Sequence, residues 1–195
     1  MTSLKTIFTK ARACRVCANR LPLGPRPLLQ AHRETRLLIV GQAPGRAAHE
    51  SGIPWNDRSG DRLREWLGIT SEQFYDDTLT GLMPVGFCFP GTGESGDLSP
   101  RPECAPLWHD KIMSHLPKLE LTITVGQYAF DRYLSAEFAA LTDAVRGFDS
   151  LLPTRIALPH PSPRNNIWLK KHPWFESDVL PRLRQRVQEL VGKAG

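Results

Sequence analysis

Four short apolar runs, three of them closing on a glycine, constrain the fold of this chain more than any other feature. They are Leu37–Gly41, Leu82–Gly86, Leu121–Gly126 and Ile156–Leu158, the last being the weakest. Brief apolar runs bounded by turn residues fit strands that are buried on both faces. Between them lie helical patterns at Ser59–Leu67, Pro106–Leu116, Gln127–Leu134 and Asp178–Val191. The last sets Val179, Leu183, Val187, Leu190 and Val191 on one side at helical spacing, with Arg and Gln opposite. Strands alternating with helices predict a parallel sheet covered on both faces. Ligands of such sheets bind outside the carboxyl ends of the strands. The loops that follow the four runs are therefore where a site is expected.

A length of 195 residues suits one domain, taken here as 1–195, with a real hydrophobic core. No repeat and no low-complexity tail interrupts it. No apolar run reaches membrane-spanning length, and the first twenty residues lack the apolar core of a signal peptide. The expectation is a cytoplasmic protein that does not enter a membrane. Lys and Arg number 25 against 20 Asp and Glu, for a formal charge of +5. Such a balance suits a polyanionic partner and an ordinary solvated surface about equally. The four cysteines, Cys14, Cys17, Cys88 and Cys104, read as ligands or free thiols in a reducing compartment rather than as disulfides.

The first run opens into Gly41-Gln42-Ala43-Pro44-Gly45, a rigid turn whose backbone N–H groups can face a ligand. It leads to His49-Glu50-Ser51-Gly52-Ile53-Pro54-Trp55-Asn56-Asp57-Arg58-Ser59-Gly60. A loop tryptophan among polar residues is a stacking platform for a planar base, or else part of the core. Ser59 and Gly60 sit where a helix N-terminus can offer N–H groups to a phosphate. The last run opens into Pro159-His160-Pro161-Ser162-Pro163-Arg164-Asn165. This is a proline-stiffened loop with small polar and basic residues, suited to close approach to a DNA backbone.

These two strings together resemble the signatures of the uracil-DNA glycosylase superfamily. Gly-Gln-Ala-Pro-Gly, with Pro54-Trp55 ten residues after its proline, is similar to the first motif of the iron–sulfur branch. There the string begins Gly-Glu-x-Pro-Gly, and a Phe stacks on uracil. Trp55 stands at that Phe and Gln42 at the Glu. His-Pro-Ser-Pro-Arg-Asn is similar to the second signature, especially that of the single-strand-selective branch. The resemblance spans roughly residues 12 to 190. It implies a three-layer α/β/α sandwich around a short, mostly parallel four-stranded sheet. It also implies a monomeric base-excision repair enzyme that hydrolyses the N-glycosidic bond of uracil flipped out of single- or double-stranded DNA.

The resemblance assigns roles as well. Trp55 stacks on the flipped base, and the backbone around Gln42 and Ala43 binds its carbonyl edge. His160 donates to uracil O2. Ser162, Pro163 and Arg164, with Ser59 and Gly60, meet the DNA. The cysteines form one close C-x-x-C pair, Cys14 and Cys17, and a second pair sixteen residues apart, Cys88 and Cys104. By pattern they fit a 4Fe–4S cluster, free thiols or zinc. The spacing resembles that of the iron–sulfur branch, which implies a 4Fe–4S cluster with a structural role.

The chain departs from the family in two places. No carboxylate follows Gly41 to position a water; Gln42 can orient one only through its amide. His49, Glu50, Asp57 and Asp61 are the nearest replacements, with His49 and Glu50 the preferred candidates. The second strand carries no Asn to read the uracil edge, and Asn56 beside Trp55 is its candidate substitute. Three alternatives therefore stand beside uracil excision. One is a damage-binding relative without hydrolysis. Another traps an abasic sugar through a nucleophile such as His49. The third excises another deaminated base, hypoxanthine or xanthine.

Overall fold

The computed structural model describes residues 3–94 and 96–192. In chain order it forms α1 (Leu4–Arg12), β1 (Leu37–Val40), α2 (Arg46–Ser51), α3 (Arg58–Leu67), α4 (Ser71–Tyr75), β2 (Thr80–Leu82), β3 (Thr92–Gly93) and β4 (Gly96–Asp97). There follow α5 (Cys104–Met113), β5 (Leu121–Val125), α6 (Gln127–Tyr133), α7 (Leu141–Arg146), α8 (Phe148–Leu151), β6 (Arg155–Leu158), α9 (Asn166–Lys171) and α10 (Leu180–Val191). The central sheet has the order β2-β1-β5-β6, and all three pairings are parallel. Ile39 lies beside both Leu82 and Ile123, and Ile123 beside Ile156.

The two faces of the sheet carry separate cores. Successive strand residues point to opposite faces. Leu37 and Ile39 thus join a cluster with Leu63 and Leu67 of α3, Val145 of α7 and Leu183, Val187 and Leu190 of α10. Leu38 and Val40 face the other way, onto Ile7 and Phe8 of α1 and Trp108 and Ile112 of α5. All four residues of β1 are buried, which is why its sequence shows no alternation. The layers are helix, sheet, helix, as expected. Among the described residues no helix is long and apolar enough to cross a membrane.

Three elements lie differently from the sequence pattern, among them α5, which runs Cys104–Met113 rather than Pro106–Leu116. The second strand is Thr80–Leu82 rather than Leu82–Gly86. Pro84 has no N–H to give to a ladder. The N–H groups of Met83, Val85 and Gly86 donate instead to the carbonyls of Ile39, Gly41 and Gln42, at 2.9, 2.9 and 3.0 Å. The chain thus leaves the sheet while staying bound to the first loop. The last helix begins at Leu180 rather than Asp178, after a π-helical turn at Phe175–Val179. Pro181 belongs in its first turn, where its missing N–H costs nothing. The Gly- and Ser-rich segment after Cys88 forms the β3–β4 hairpin, with Thr92 opposite Asp97.

Candidate active site

The loops after β1 and β6 meet at the carboxyl ends of the sheet. Together they bound a cavity of about 420 Å³, lined by Gly41, Gln42, Ala43 and Pro44 of one and His160, Ser162, Arg164 and Asn165 of the other. Pro54, Trp55, Asp57 and Ser59 close it from the segment that enters α3, Pro84 from the end of β2 and Asp97 from the hairpin.

Trp55 and His160 face one another across this space, ring centroids 5.8 Å apart and planes inclined at 26°. Each leans on a glycine. A Cβ on Gly41 would come within 2.6 Å of the Trp55 indole, and one on Gly126 within 3.2 Å of His160 Cβ. Among the described residues Trp55 is the single non-glycine with positive φ, at 58°. Such a backbone costs about 1–3 kcal/mol and persists only where its surroundings hold it. Here Tyr75 Oη donates to the Pro54 carbonyl at 2.9 Å. The Trp55 carbonyl lies so close over Gly60 that no side chain fits there. A base sandwiched between two rings needs about 7 Å, two contact distances of about 3.5 Å. At 5.8 Å the Trp55–His160 gap is closed to a base.

The environment of His160 defines its chemistry. Its Nδ1 accepts the Ser162 backbone N–H at 3.2 Å, and Asn165 Nδ2 donates to its carbonyl at 2.8 Å. An Nδ1 that accepts leaves the proton on Nε2 in the neutral ring. Burial lowers the His160 pKa below the ordinary imidazole value, with Asp57 and Asp97 opposing the shift. The group is therefore a neutral N–H donor rather than an imidazolium at neutral pH.

The carboxylates at the cavity are Asp57 and Asp97. Asp57 also caps α3, its Oδ1 accepting the Gly60 N–H at 2.8 Å. That hydrogen bond occupies the Gly60 N–H, which sequence reasoning offered to a phosphate. His49 and Glu50 lie on α2, outside the residues that line the cavity. His49 is buried against Phe89 with a ring separation of 6.0 Å. Glu50 is exposed and pairs with Arg46 at 3.8 Å. Asn56 is exposed, and Asn56, Pro163 and Asp61 are likewise not part of the cavity wall. The sequence offers no signal for Asp97, which reaches the cavity only because Gly- and Ser-rich chain pairs into a hairpin. Arg164 crosses to the same hairpin, and a side chain on Gly96 would run into its guanidinium.

The four cysteines line a second, small cavity of about 30 Å³, with Phe87, Arg101, Glu103 and Trp108 in its walls. No group of three or more His, Cys, Asp or Glu among the described residues is arranged to hold a single metal ion. A lone tetrahedral zinc with bonds of about 2.3 Å gathers its thiolates tightly; a cluster with one thiolate per iron spreads them further. The chemistry of the walls fits an anionic sulfur group. The Phe87 N–H donates to Cys104 Sγ at 3.3 Å. Arg101 Nε and Trp108 Nε1 are buried donors without a partner. Burial pushes the thiols of Cys88 and Cys104 up to about 11 and about 12, so a cationic iron group is what would make them thiolates.

Comparison with known families agrees with this geometry. The family model of the Uracil DNA glycosylase superfamily matches residues 29–184, about four-fifths of the chain. The chain belongs to that superfamily. Membership points to a DNA glycosylase, a hydrolase of N-glycosyl bonds that binds DNA.

Proposed function

We propose that this protein excises uracil from DNA by hydrolysis and leaves an abasic site. The observation that carries the reading is the shared cavity of Trp55 and His160, with a neutral His160 whose Nε2–H is directed by its Ser162 contact. Breaking an N-glycosidic bond puts negative charge on the departing base and positive charge on the sugar. A fixed donor in a partly dehydrated cavity stabilises the first. His160 Nε2 donates to uracil O2 as the base leaves. Asp57 and Asp97 supply negative charge toward the sugar, and the Gln42 amide oxygen orients the attacking water. His49 and Glu50 have no part in this scheme, because α2 carries them away from the cavity.

The base reaches this place only by leaving the helix stack, at a cost of a few kcal/mol. It enters when the Trp55 indole swings from His160, and the indole then stacks on it. Ser59, Ser162, Pro163 and Arg164 meet the strand around the mouth. Cys14, Cys17, Cys88 and Cys104 hold a 4Fe–4S cluster that pins residues 14–17 to the segment between Cys88 and α5. The cluster's chemistry is structural, and no bond of the substrate is broken by it. Supporting this are the shared cavity of the four cysteines and the unpartnered Arg101 and Trp108 donors beside it.

The test is excision from oligonucleotides carrying one uracil, hypoxanthine or xanthine, followed by alkali. Strand breaks with uracil alone are the expected result. Breaks with hypoxanthine or xanthine instead would reassign the base. Tight binding without breaks would make the chain a damage-binding relative. A heat-stable adduct would make it an abasic-site trap.

A further inference from the structure

A third cavity, of about 390 Å³, shares Gln42, His160 and Asn165 with the first, so these residues form a common wall. Its other walls come from Tyr128 of α6, Leu141 and Thr142 of α7 and Trp168 of α9. Trp168 is held as a rigid surface. Its Nε1 donates to Thr142 Oγ1 at 3.0 Å. Its ring meets His172 at 4.5 Å, and Trp174 edge-on at 5.8 Å. The side chain is only half-buried, so part of the ring remains open.

Several polar groups of this cavity are already engaged. Gln127 donates to Asp131 at 2.7 Å, Tyr128 shares a hydrogen bond with Ser99 at 2.7 Å, and Asn165 donates to the His160 carbonyl at 2.8 Å. Thr142 serves Trp168. What remains for a ligand is an aromatic and aliphatic surface, together with the side chains of Gln42 and His160, which the proposed chemistry engages from the first cavity. The helix that brings Trp168 here ends in exposed Lys170 and Lys171, positive charge suited to a phosphate chain. Successive bases on a strand are joined by a single phosphate, and the two cavities share Gln42, His160 and Asn165 as a common wall.

We propose that this cavity is a stacking subsite for the nucleobase adjoining the extruded one on the same strand, taken without regard to its identity. The proposal rests on the glycosylase reading of the first cavity. An aromatic platform such as Trp168 stacks on any base, since every base has a π-face. The subsite would favour substrate that is locally single-stranded, where a neighbouring base is free to leave the stack.

Fluorescence anisotropy of the full chain with short single-stranded oligonucleotides tests this. The central residue is 2′-fluorinated deoxyuridine, whose fluorine disfavours the sugar cation and blocks excision. The residue on each side in turn carries a base or is a baseless tetrahydrofuran. Removing the base on one side should weaken binding about tenfold, while exchanging A, C, G and T there should change it less than about threefold. Trp168→Ala should abolish that dependence and leave affinity for the baseless oligonucleotide within about threefold of the unchanged protein. Equal affinity with and without a base on either side overturns the subsite. So does a strong preference for one base, or a Trp168→Ala loss that is the same for both oligonucleotides. The comparison on the unchanged protein needs no variant, so a Trp168→Ala chain that fails to fold leaves the test standing. If thymine at the centre binds as well as uracil, the uracil-excision reading of the first cavity fails instead, and the flanking comparison still reads the subsite.

Discussion

Replacing His160 by Phe separates its chemistry from its packing. The ring that rests on Gly126 and faces Trp55 at 5.8 Å is kept, while the Nε2–H is lost. A donor aimed at a developing anion in a water-poor site is worth about 2.7–4 kcal/mol, so excision should slow by about 10²–10³-fold. The same change removes the Nδ1 that accepts the Ser162 N–H at 3.2 Å. That contact is ordinary, worth about 1 kcal/mol of stability, or about 2–4 °C in Tm for a chain of this size. Single-turnover excision of uracil from a labelled oligonucleotide, with enzyme in excess, reads the chemical step apart from binding. Affinity for the uracil oligonucleotide should change much less than the rate. The pH profile adds an independent check. Burial keeps His160 below the ordinary imidazole value, so the rate of the unchanged protein should show no inflection near about 6.5. A His160→Phe rate within threefold of the original at unchanged fold would refute the leaving-group argument.

Three further outcomes are expected. Trp55→Ala should weaken binding of a uracil oligonucleotide by roughly 1–3 kcal/mol if the indole stacks on the base; a large fall in Tm with unchanged affinity would assign Trp55 to the core alone. His109 is fully buried on α5, its Nδ1 bonded to Tyr133 Oη at 2.5 Å and its Nε2 to the Pro84 carbonyl at 3.0 Å. Burial pushes its pKa down to about 4. The unfolded chain binds the proton first, so this contribution to stability is complete above about pH 6.5 and falls by about 3 kcal/mol as pH drops to about 4. Urea unfolding across that range should show the decline, and His109→Phe should flatten it. Finally, protein purified without oxygen should be brown with broad absorption near about 400 nm, and Cys104→Ser should lose that band. A colourless, iron-free, folded protein would remove the cluster.

Much of the framework is legible in the chain because each signal is local. β1 is four consecutive buried residues, and the glycine after it lies where the Trp55 indole leaves no room for a side chain. β2 starts two residues before the apolar run, because such a run says nothing of which N–H groups are free, and Pro84 lacks one. The hairpin is not legible in the sequence because strands of two residues carry no periodicity, and Asp97 is hidden with it. His49 and Glu50 stand close in sequence to Gln42 and Trp55. Yet α2 is a six-residue helix ended by Gly52 in the left-handed conformation, and its turn carries both away from the cavity. Spacing alone also left the four cysteines undecided. That they border one cavity follows from α1 and α5 packing side by side on the sheet, a long-range fact.

That packing has a practical side. The superfamily match starts at residue 29, yet Leu4, Ile7, Phe8 and Ala11 are buried in the core shared with β1 and α5. A fragment trimmed to the matched boundary would strip the covering from Leu38, Val40 and Phe87 and expose a greasy flank of the sheet to solvent. Its failure would then say nothing about the loops around the Trp55–His160 cavity, which lie at the carboxyl ends of the strands. Anyone shortening this protein for crystallisation or display should count the first helix as part of the body.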